Sequence, residues 1–216
     1  MATVVKDNNI QINRLELGPF GTNSYILICQ KTNESVVVDA PGEAGMVVEK
    51  LKETQPKYIL MTHDHFDHIG GLVELRSALE VPVAAHLADA NDLPLEPDFL
   101  LNDGDEILIG AIKLRVLHTP GHTPGGLCFL TDKYLIAGDT LFPGGPGKTQ
   151  SPDDFRQIVE SITQKLFELP EDTQVYPGHG EATTIKEAKQ QYEVFSTRPH
   201  DPNLCGDVVW DKSQSA

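Results

Sequence analysis

The stretch THDHFDHIGG, from Thr62 to Gly71, places three histidines and two aspartates within the six positions from His63 to His68. It directly follows the apolar run YILM, residues 58–61, which predicts a buried strand, so the ligand-rich residues are expected in the loop that leaves this strand. Imidazole and carboxylate groups at this density need a cation between them. A divalent metal ion is therefore the first functional expectation.

The composition bounds the kind of protein. With 216 residues, of which 39% are hydrophobic and 23% are charged, the chain fits a single soluble domain over residues 1–216. The net charge is −15, and two bound divalent ions would bring it only to −15 + 4 = −11. Because nothing in the sequence supplies a basic surface for a phosphate backbone, we expect a small-molecule substrate and no nucleic-acid partner.

The sequence also indicates a cellular location. The first nine residues contain no signal-peptide core, and no window approaches the roughly 18 apolar residues that a membrane span requires. The three cysteines, Cys29, Cys128 and Cys205, are far apart, and the first two lie in apolar runs typical of reduced core residues. We therefore expect a cytoplasmic protein with no membrane partner, and the sequence leaves its oligomeric state open.

Hydrophobic patterns on both sides of the histidine stretch predict strand-rich halves with helices between them. Apolar runs predict strands at residues 10–17, 25–29, 36–38, 58–61, 81–85, 107–109, 112–117, 127–130, 134–137 and 174–176. Helical spacing predicts helices within residues 43–54, 72–79, 151–166 and 184–195, with Ser151 as the N-cap of the third. Residues 89–101 are expected to form a surface loop with a short helix. This order favours an α/β fold built as an αββα four-layer sandwich.

Three further segments each place a potential ligand among glycines directly after a predicted strand. They are HTPGHTPG from His118, GDTL from Gly138 and YPGHG from Tyr176. Glycine and proline allow tight turns that present one side chain at the end of a sheet. Ordinary turn chemistry would explain any one segment, but the three together with the histidine stretch indicate a shared site. The glycine-rich residues 144–148, by contrast, lack the spacing of a nucleotide-binding loop.

Taken together, these segments resemble the metallo-β-lactamase superfamily and, within it, the glyoxalase II-like (hydroxyacylglutathione hydrolase-like) hydrolases. The H-x-H-x-D-H signature of the superfamily is present, and the later ligands follow in the family's order: His63, His65, Asp67, His68, His122, Asp139 and His179. The resemblance extends from about residue 22 to residue 184. Residues 198–216 therefore form a tail outside the match.

The resemblance implies a dinuclear metal centre. The first ion would be held by His63, His65 and His122, the second by Asp67, His68 and His179, with Asp139 between them. Zinc is expected, with iron or manganese as alternatives, and a hydroxide shared by the two ions would attack a carbonyl. A thioester or small ester suits such a centre, because a thiolate with a pKa of about 8.5 leaves with little help from an acid. Asp67 and Asp139 are the expected catalytic carboxylates.

Further residues are expected to support the centre or to bind substrate. Asp39 matches a family position where a buried carboxylate supports the histidine loop, and His118 is expected to pack or to orient a metal-bound imidazole. Lys148 stands where relatives often carry arginine, and the tail has few basic residues, so glutathione is disfavoured as part of the substrate. His86 is a candidate for the entrance, and His200 is expected to be structural or exposed.

Three alternatives use the same residues. A persulfide dioxygenase-like enzyme would hold a single iron with His63, His122 and Asp139. A lactonase or phosphodiesterase would use the same two-metal core on another substrate. A binding or sensing protein would keep the metal for structure, although every expected ligand is present. Metal identity and count separate the iron enzyme from the zinc hydrolase before any substrate is known.

Overall fold

Two β-sheets pack face to face, and each carries helices on its outer face, which confirms the predicted αββα fold class. The structure, a computed structural model, describes residues 2–210. Residue 1 and residues 211–216, which the predicted domain and its tail include, lie outside the described residues. The assignment of one domain to residues 1–216 stays a prediction.

The first sheet contains seven strands, which are neighbours in chain order: β1 (Ala2–Lys6), β2 (Ile10–Leu17), β3 (Thr22–Cys29), β4 (Glu34–Val38), β5 (Gln55–Leu60), β6 (Val83–His86) and β7 (Phe99–Leu101). Strands β1 to β4 pair antiparallel, and β4 to β7 pair parallel. Alternation along β3 divides its buried side chains between two cores. Tyr25 and Leu27 face the second sheet, whereas Ile26 and Ile28 face the outer helices.

The second sheet contains six strands, introduced here in chain order: β8 (Glu106–Ile109), β9 (Ile112–His118), β10 (Leu127–Thr131), β11 (Tyr134–Gly138), β14 (Gln174–Pro177) and β15 (Thr183–Thr184). Their spatial order is β15-β14-β11-β10-β9-β8, and only the neighbours β11 and β14 run parallel. The two-residue strands β12 (Leu141–Phe142) and β13 (Gly145–Pro146) form a separate hairpin. Its second strand lies in the glycine-rich segment 144–148, and the next helix begins only at Pro152.

The helices are α1 (Ala44–Leu51), α2 (Phe66–Ile69), α3 (Leu72–Leu79), α4 (Leu87–Ala90), α5 (Pro152–Ser161), which continues as a π-helical turn over Ile162–Leu166, and α6 (Ile185–Ser196). Apolar faces of α1 and α3 cover the first sheet, and those of α5 and α6 cover the second. The predicted N-cap of α5 is confirmed, because the Ser151 hydroxyl accepts a hydrogen bond from the Asp154 amide at 3.2 Å. None of the helices within residues 2–210 is long and apolar enough to cross a membrane.

Besides the short elements α2, β12, β13 and β15, which no sequence pattern marks, two segments differ from the predictions. Residues 89–101, predicted as a surface loop, include the edge strand β7, and Asp89 at their start is buried with 1% exposure. Strand β1 was not predicted because most of its side chains are exposed, so no apolar run marks it. Neither difference alters the layer order.

Candidate metal centre

The predicted ligands follow strands that end at one edge of the sandwich. His63 comes after β5, His122 lies in the loop after β9, and Asp139 and His179 come directly after β11 and β14. Parallel neighbours place their carboxyl ends side by side, so β11 and β14 bring Asp139 close to His179. In the same way, β4 and β5 bring Asp39 beside the start of the histidine loop.

All seven predicted ligands belong to overlapping groups whose ligand atoms lie within 4.8 Å of one another. The groups are His63–His65–His122, His63–His68–Asp139 and Asp67–His68–His179. The first and third groups correspond to the two predicted ion sites. The second group shares a residue with each of them, so the three groups form one continuous centre.

Asp139 lies between the two predicted ion sites. Its Oδ2 atom is 3.4 Å from Nε2 of His122 in the first site and 3.7 Å from Nε2 of His179 in the second. Its Oδ1 atom is 3.4 Å from Nε2 of His68. This position suits a carboxylate that contacts both ions, which is the role that the resemblance implies.

Four buried polar atoms of the centre have no hydrogen-bond partner among residues 2–210. They are Nε2 of His63, His68 and His122 and Oδ1 of Asp139. Buried polar atoms in proteins are almost always paired, and a cation would satisfy imidazole lone pairs and a carboxylate oxygen at once. The residues present therefore fit the metal ions that the sequence predicts.

The opposite ring nitrogens of the same three histidines are held by hydrogen bonds. Nδ1 of His68 lies 2.8 Å from Oδ2 of Asp39, and Nδ1 of His122 lies 2.7 Å from the carbonyl oxygen of Lys148. A carboxylate and a carbonyl only accept hydrogen bonds, so each Nδ1 carries a hydrogen and Nε2 faces the centre. Nδ1 of His63 lies 2.9 Å from the Thr62 hydroxyl. The rings are thus oriented for coordination through Nε2.

Asp39 fixes the start of the histidine loop through hydrogen bonds to Thr62. The carboxylate is 2% exposed, and its Oδ1 accepts a hydrogen bond from the Thr62 amide at 2.8 Å. Its Oδ2 accepts from the Thr62 hydroxyl at 2.7 Å as well as from His68. The Thr62 hydroxyl therefore connects His63 to Asp39, a role that the sequence did not predict.

Charges within the centre shift the pKa values of its members. Burial lowers the pKa of His63 and of His122. Burial also acts to lower the pKa of His68, but the carboxylates of Asp39 and Asp139 outweigh it and raise this pKa to about 10. Burial acts to raise the pKa of Asp139, yet the surrounding imidazoles, His68 foremost, hold it well below its usual range. The centre thus keeps His63 and His122 neutral, as metal-binding imidazoles must be, and places the carboxylates of Asp39 and Asp139 around His68.

Two glycines are required by the close packing of the centre. A Cβ atom on Gly178 would lie 2.2 Å from Oδ1 of Asp139 and 2.6 Å from Cε1 of His68. A Cβ atom on Gly147 would lie 1.9 Å from the carbonyl oxygen of Asp139. Both distances are shorter than contacts between non-bonded atoms, so only glycine fits at these positions without movement of a ligand.

The buried carboxylate of Asp89 holds the loop that carries His122, although no sequence pattern marks it. It accepts a hydrogen bond from the Thr123 hydroxyl at 2.7 Å and from the Gly125 amide at 2.6 Å. A Cβ atom on Gly125 would lie 2.5 Å from the Asp89 carboxylate. Asp89 is therefore a positioning residue for the loop of the first site.

The remaining histidines lie outside the ligand groups. Nε2 of His118 is 2.9 Å from the carbonyl oxygen of Pro124, and its ring stacks on that of His86 with centroids 4.0 Å apart. His118 therefore contacts the loop that carries His122, and its role in packing or in orienting a metal-bound imidazole stays a prediction. His200 is exposed and stacks on Phe195.

A cavity of about 340 Å³ borders the metal centre. His122, Asp139 and His179 line one side, and the exposed side chain of Lys148 lies at its edge. Binding of substrate by Lys148 stays a prediction. A larger cavity of about 610 Å³ lies along residues 87–100 and is lined by none of the seven predicted ligands.

Comparisons with known proteins agree with this geometry. The metallo-beta-lactamase superfamily model matches residues 17–179. A probable metallo-hydrolase, YqgX of Bacillus subtilis, is 35% identical over 200 residues, which cover 82% of this chain and 94% of the relative. The hydroxyacylglutathione hydrolase GloC of Haemophilus influenzae is 31% identical over 195 residues, which cover 80% of this chain and 92% of the relative.

Two solved structures extend the likeness to the fold. The BLEG-1 B3 metallo-beta-lactamase superposes with a TM-score of 0.75 at 32% identity, covering 82% of this chain and 95% of that one. TTHA1623 in a di-iron-bound form superposes with a TM-score of 0.68 at 30% identity, covering 81% of this chain and 96% of that one. By its sequence, its fold and the arrangement of its histidines and aspartates, the chain belongs to the metallo-beta-lactamase superfamily.

Proposed function

We propose that this metallo-hydrolase acts with two divalent ions, zinc being expected, on a thioester or small ester. The observation that carries the proposal is the convergence of seven histidine and aspartate side chains, with four unpaired buried atoms among them, beside a cavity that three of the seven line. The relative named hydroxyacylglutathione hydrolase supports the thioester class. Because glutathione is disfavoured as the thiol part of the substrate, the proposal specifies the thioester bond and not the thiol.

Each of the seven residues has a proposed role in such a centre. His63, His65 and His122 would hold the first ion, Asp67, His68 and His179 the second, and Asp139 both. Divalent ions in these groups supply Lewis-acid polarisation of a carbonyl and activation of water near neutral pH. The carboxylates of Asp67 and Asp139 contribute two negative charges, and the hydrogen bonds that Nδ1 of His68 and of His122 donate keep these rings in place.

Asp67 is positioned from two sides. Its Oδ2 atom accepts a hydrogen bond from the Thr22 hydroxyl at 3.1 Å and lies 3.0 Å from Nε2 of His179. Thr22 also forms an isolated antiparallel bridge with His179, so a single residue of β3 fixes both ligands. This support favours a formed second site and thus two ions over the single iron of a persulfide dioxygenase-like enzyme.

The identity of the metal and the substrate class remain parts of the proposal. A similar chain has been solved in a di-iron-bound form, so iron is the alternative to zinc that metal analysis must address. We further propose a small-molecule substrate, a cytoplasmic location and no nucleic-acid partner, in keeping with the net charge of −15. Lactonase or phosphodiesterase activity would use the same ligands.

The experiment that tests the proposal combines metal analysis with a substrate panel. Protein purified without added metal is analysed for zinc, iron and manganese, and then assayed with acyl thioesters, a lactone and a phosphodiester. We expect two ions per chain and thioester hydrolysis as the fastest reaction. Asp67→Asn should lose activity, whereas Asp172→Asn, at an exposed position, should retain it. Two ions with no thioester hydrolysis would refute the substrate class, and iron with oxygen consumption on a persulfide would refute the reaction type.

A further inference from the structure

The segment from Gly206 to Trp210, beyond the end of the superfamily match at residue 179, is fixed against the loop beside the metal centre. Gly206 and Thr149 exchange backbone hydrogen bonds of 3.2 and 3.0 Å, and the Trp210 amide donates to the Gly144 carbonyl at 2.7 Å. Trp210 is fully buried, with its ring centroid 5.0 Å from that of Tyr192. The segment was expected to be an unmatched tail, but it is an integral part of this face.

The same segment lines the cavity that borders the metal centre. Asp207, Val208 and Val209 belong to its wall, together with His122, Asp139 and His179. The approach is close, since a Cβ atom on Gly145 would lie 2.8 Å from the carbonyl oxygen of Val208. A molecule that fills this cavity therefore contacts the segment.

The chemistry of the cavity wall favours an uncharged, apolar group. Apart from the metal ligands, its ionisable side chains are Lys148 and Asp207, which carry opposite charges, are both exposed and leave no net charge. The other side chains of the wall are apolar: Phe142, Pro143, Pro146, Val208 and Val209. Phe142 extends this surface to the centre, because its ring stacks on that of His179. The volume of the cavity, about 340 Å³, is enough for a short alkyl chain.

We propose that the segment Asp207–Val209 is the specificity-determining wall of the site and selects substrates with an apolar acyl group beside the reacting carbonyl. The inference rests on the proposed function, since it assigns the acyl part of that substrate. Each methylene that enters the cavity should tighten binding by about fourfold, the value for complete burial. Val209, partly buried at the cavity, is the residue at which a charge should abolish this gain.

The single tryptophan of the sequence allows binding to be measured without turnover. Trp210 lies at the end of the wall, so its fluorescence should respond when the cavity is filled. Zinc-loaded protein is titrated with acetate, butanoate and hexanoate, the carboxylate products of an acyl series. We expect hexanoate to bind at least about tenfold more tightly than acetate, allowing for incomplete burial of its four extra methylenes.

Variants distinguish the contribution of Val209 to carboxylate binding from general effects of substitution on the protein. Val209→Asp should reduce the advantage of hexanoate to less than about threefold, and Val209→Thr, of nearly the same shape, should reduce it by a smaller factor. Val194→Asp, at a 41% exposed position on α6, should leave it unchanged, and all three variants should keep the metal content of the parent. The Thr variant keeps the test valid if the Asp variant does not fold.

Two results would overturn the inference. The first is equal binding of acetate and hexanoate to the parent protein. The second is a preference for hexanoate that both Val209→Asp and Val209→Thr retain in full. A protein that hydrolyses thioesters without any chain-length preference would contradict the inference and leave the proposed function intact. A protein that binds longer carboxylates more tightly but cleaves no thioester would contradict the proposed function instead.

Discussion

The carboxylate of Asp39 lies 2.8 Å from Nδ1 of His68, and both groups are almost completely buried, with side-chain exposures of 2% and 0%. The same carboxylate oxygen accepts the hydrogen bond of the Thr62 hydroxyl, which in turn contacts His63. One acidic residue thus orients a histidine of each predicted ion site. Because it lies on the far side of the rings, Asp39 acts through the ligands and is a positioning residue.

Asp39→Asn should weaken the second ion site. Asn tolerates the left-handed backbone conformation at this position, where φ is 63°, so the fold should be retained. The amide removes the charge behind His68, and loss of such a partner typically lowers metal affinity by about 10–100-fold. Competition with a chromophoric chelator measures the change, with Asp172→Asn as the exposed control. Equal affinity in the variant and the parent would show that Asp39 does not support the ligand.

Metal uptake should release a proton from His68 at pH 8. The pKa of His68 in the metal-free fold is about 10, because Asp39 and Asp139 outweigh the effect of burial, so the ring is still protonated at this pH. Coordination through Nε2 must displace that proton. In Asp39→Asn the pKa falls, the ring is less protonated beforehand, and fewer protons should be released. A pH-stat titration of apoprotein with zinc measures the difference, and identical release from both proteins would contradict the account.

Gly178→Ala should impair metal binding more than it impairs folding. The added Cβ atom would lie 2.2 Å from Oδ1 of Asp139, so the carboxylate between the two sites must move. Titration should show the loss of at least one ion per chain. Gly45→Ala is the matched control, because nothing lies within 4 Å of its Cβ atom and the residue lies in α1. The control should keep both ions and gain about 0.4–1 kcal/mol in the free energy of unfolding.

Asp89→Ala should destabilise the loop that carries His122. The carboxylate accepts hydrogen bonds from the Thr123 hydroxyl and the Gly125 amide, and alanine offers no acceptor for either of them. Each buried donor that loses its partner costs about 1–3 kcal/mol. Urea unfolding of the variant measures this cost, with the exposed Asp92→Ala as control. A variant as stable as the control would mean that Asp89 is not required by the loop.

The residues that the structure brings together in the candidate metal centre could be selected from the sequence because their chemistry is concentrated in the chain. Three histidines within His63–His68 already indicate a cation, and each of the later ligands follows a strand in a glycine-rich turn. The layer order could likewise be predicted, because alternation and helical spacing mark most of the elements that form the three cores.

The supports of the centre could not be predicted in the same way. Thr62, Thr22 and Asp89 act through single hydrogen bonds to residues that are distant in sequence or adjacent on a turn, and no period or spacing marks such pairs. For the wall at Asp207–Val209, the sequence predicted only that the tail beyond the match bears on the substrate, and not which of its residues line the cavity. Its few apolar residues are held by backbone hydrogen bonds to Gly144 and Thr149, contacts that depend on the tertiary fold.

The central claim, a two-ion centre built by seven residues, is tested most directly by locating the ions. Crystals of protein purified without added metal should be measured at wavelengths on either side of the zinc and iron absorption edges. We predict two anomalous peaks per chain, one within His63–His65–His122 and one within Asp67–His68–His179, with Asp139 in contact with both. A single peak held by His63, His122 and Asp139, or no peak in these groups, would contradict the account.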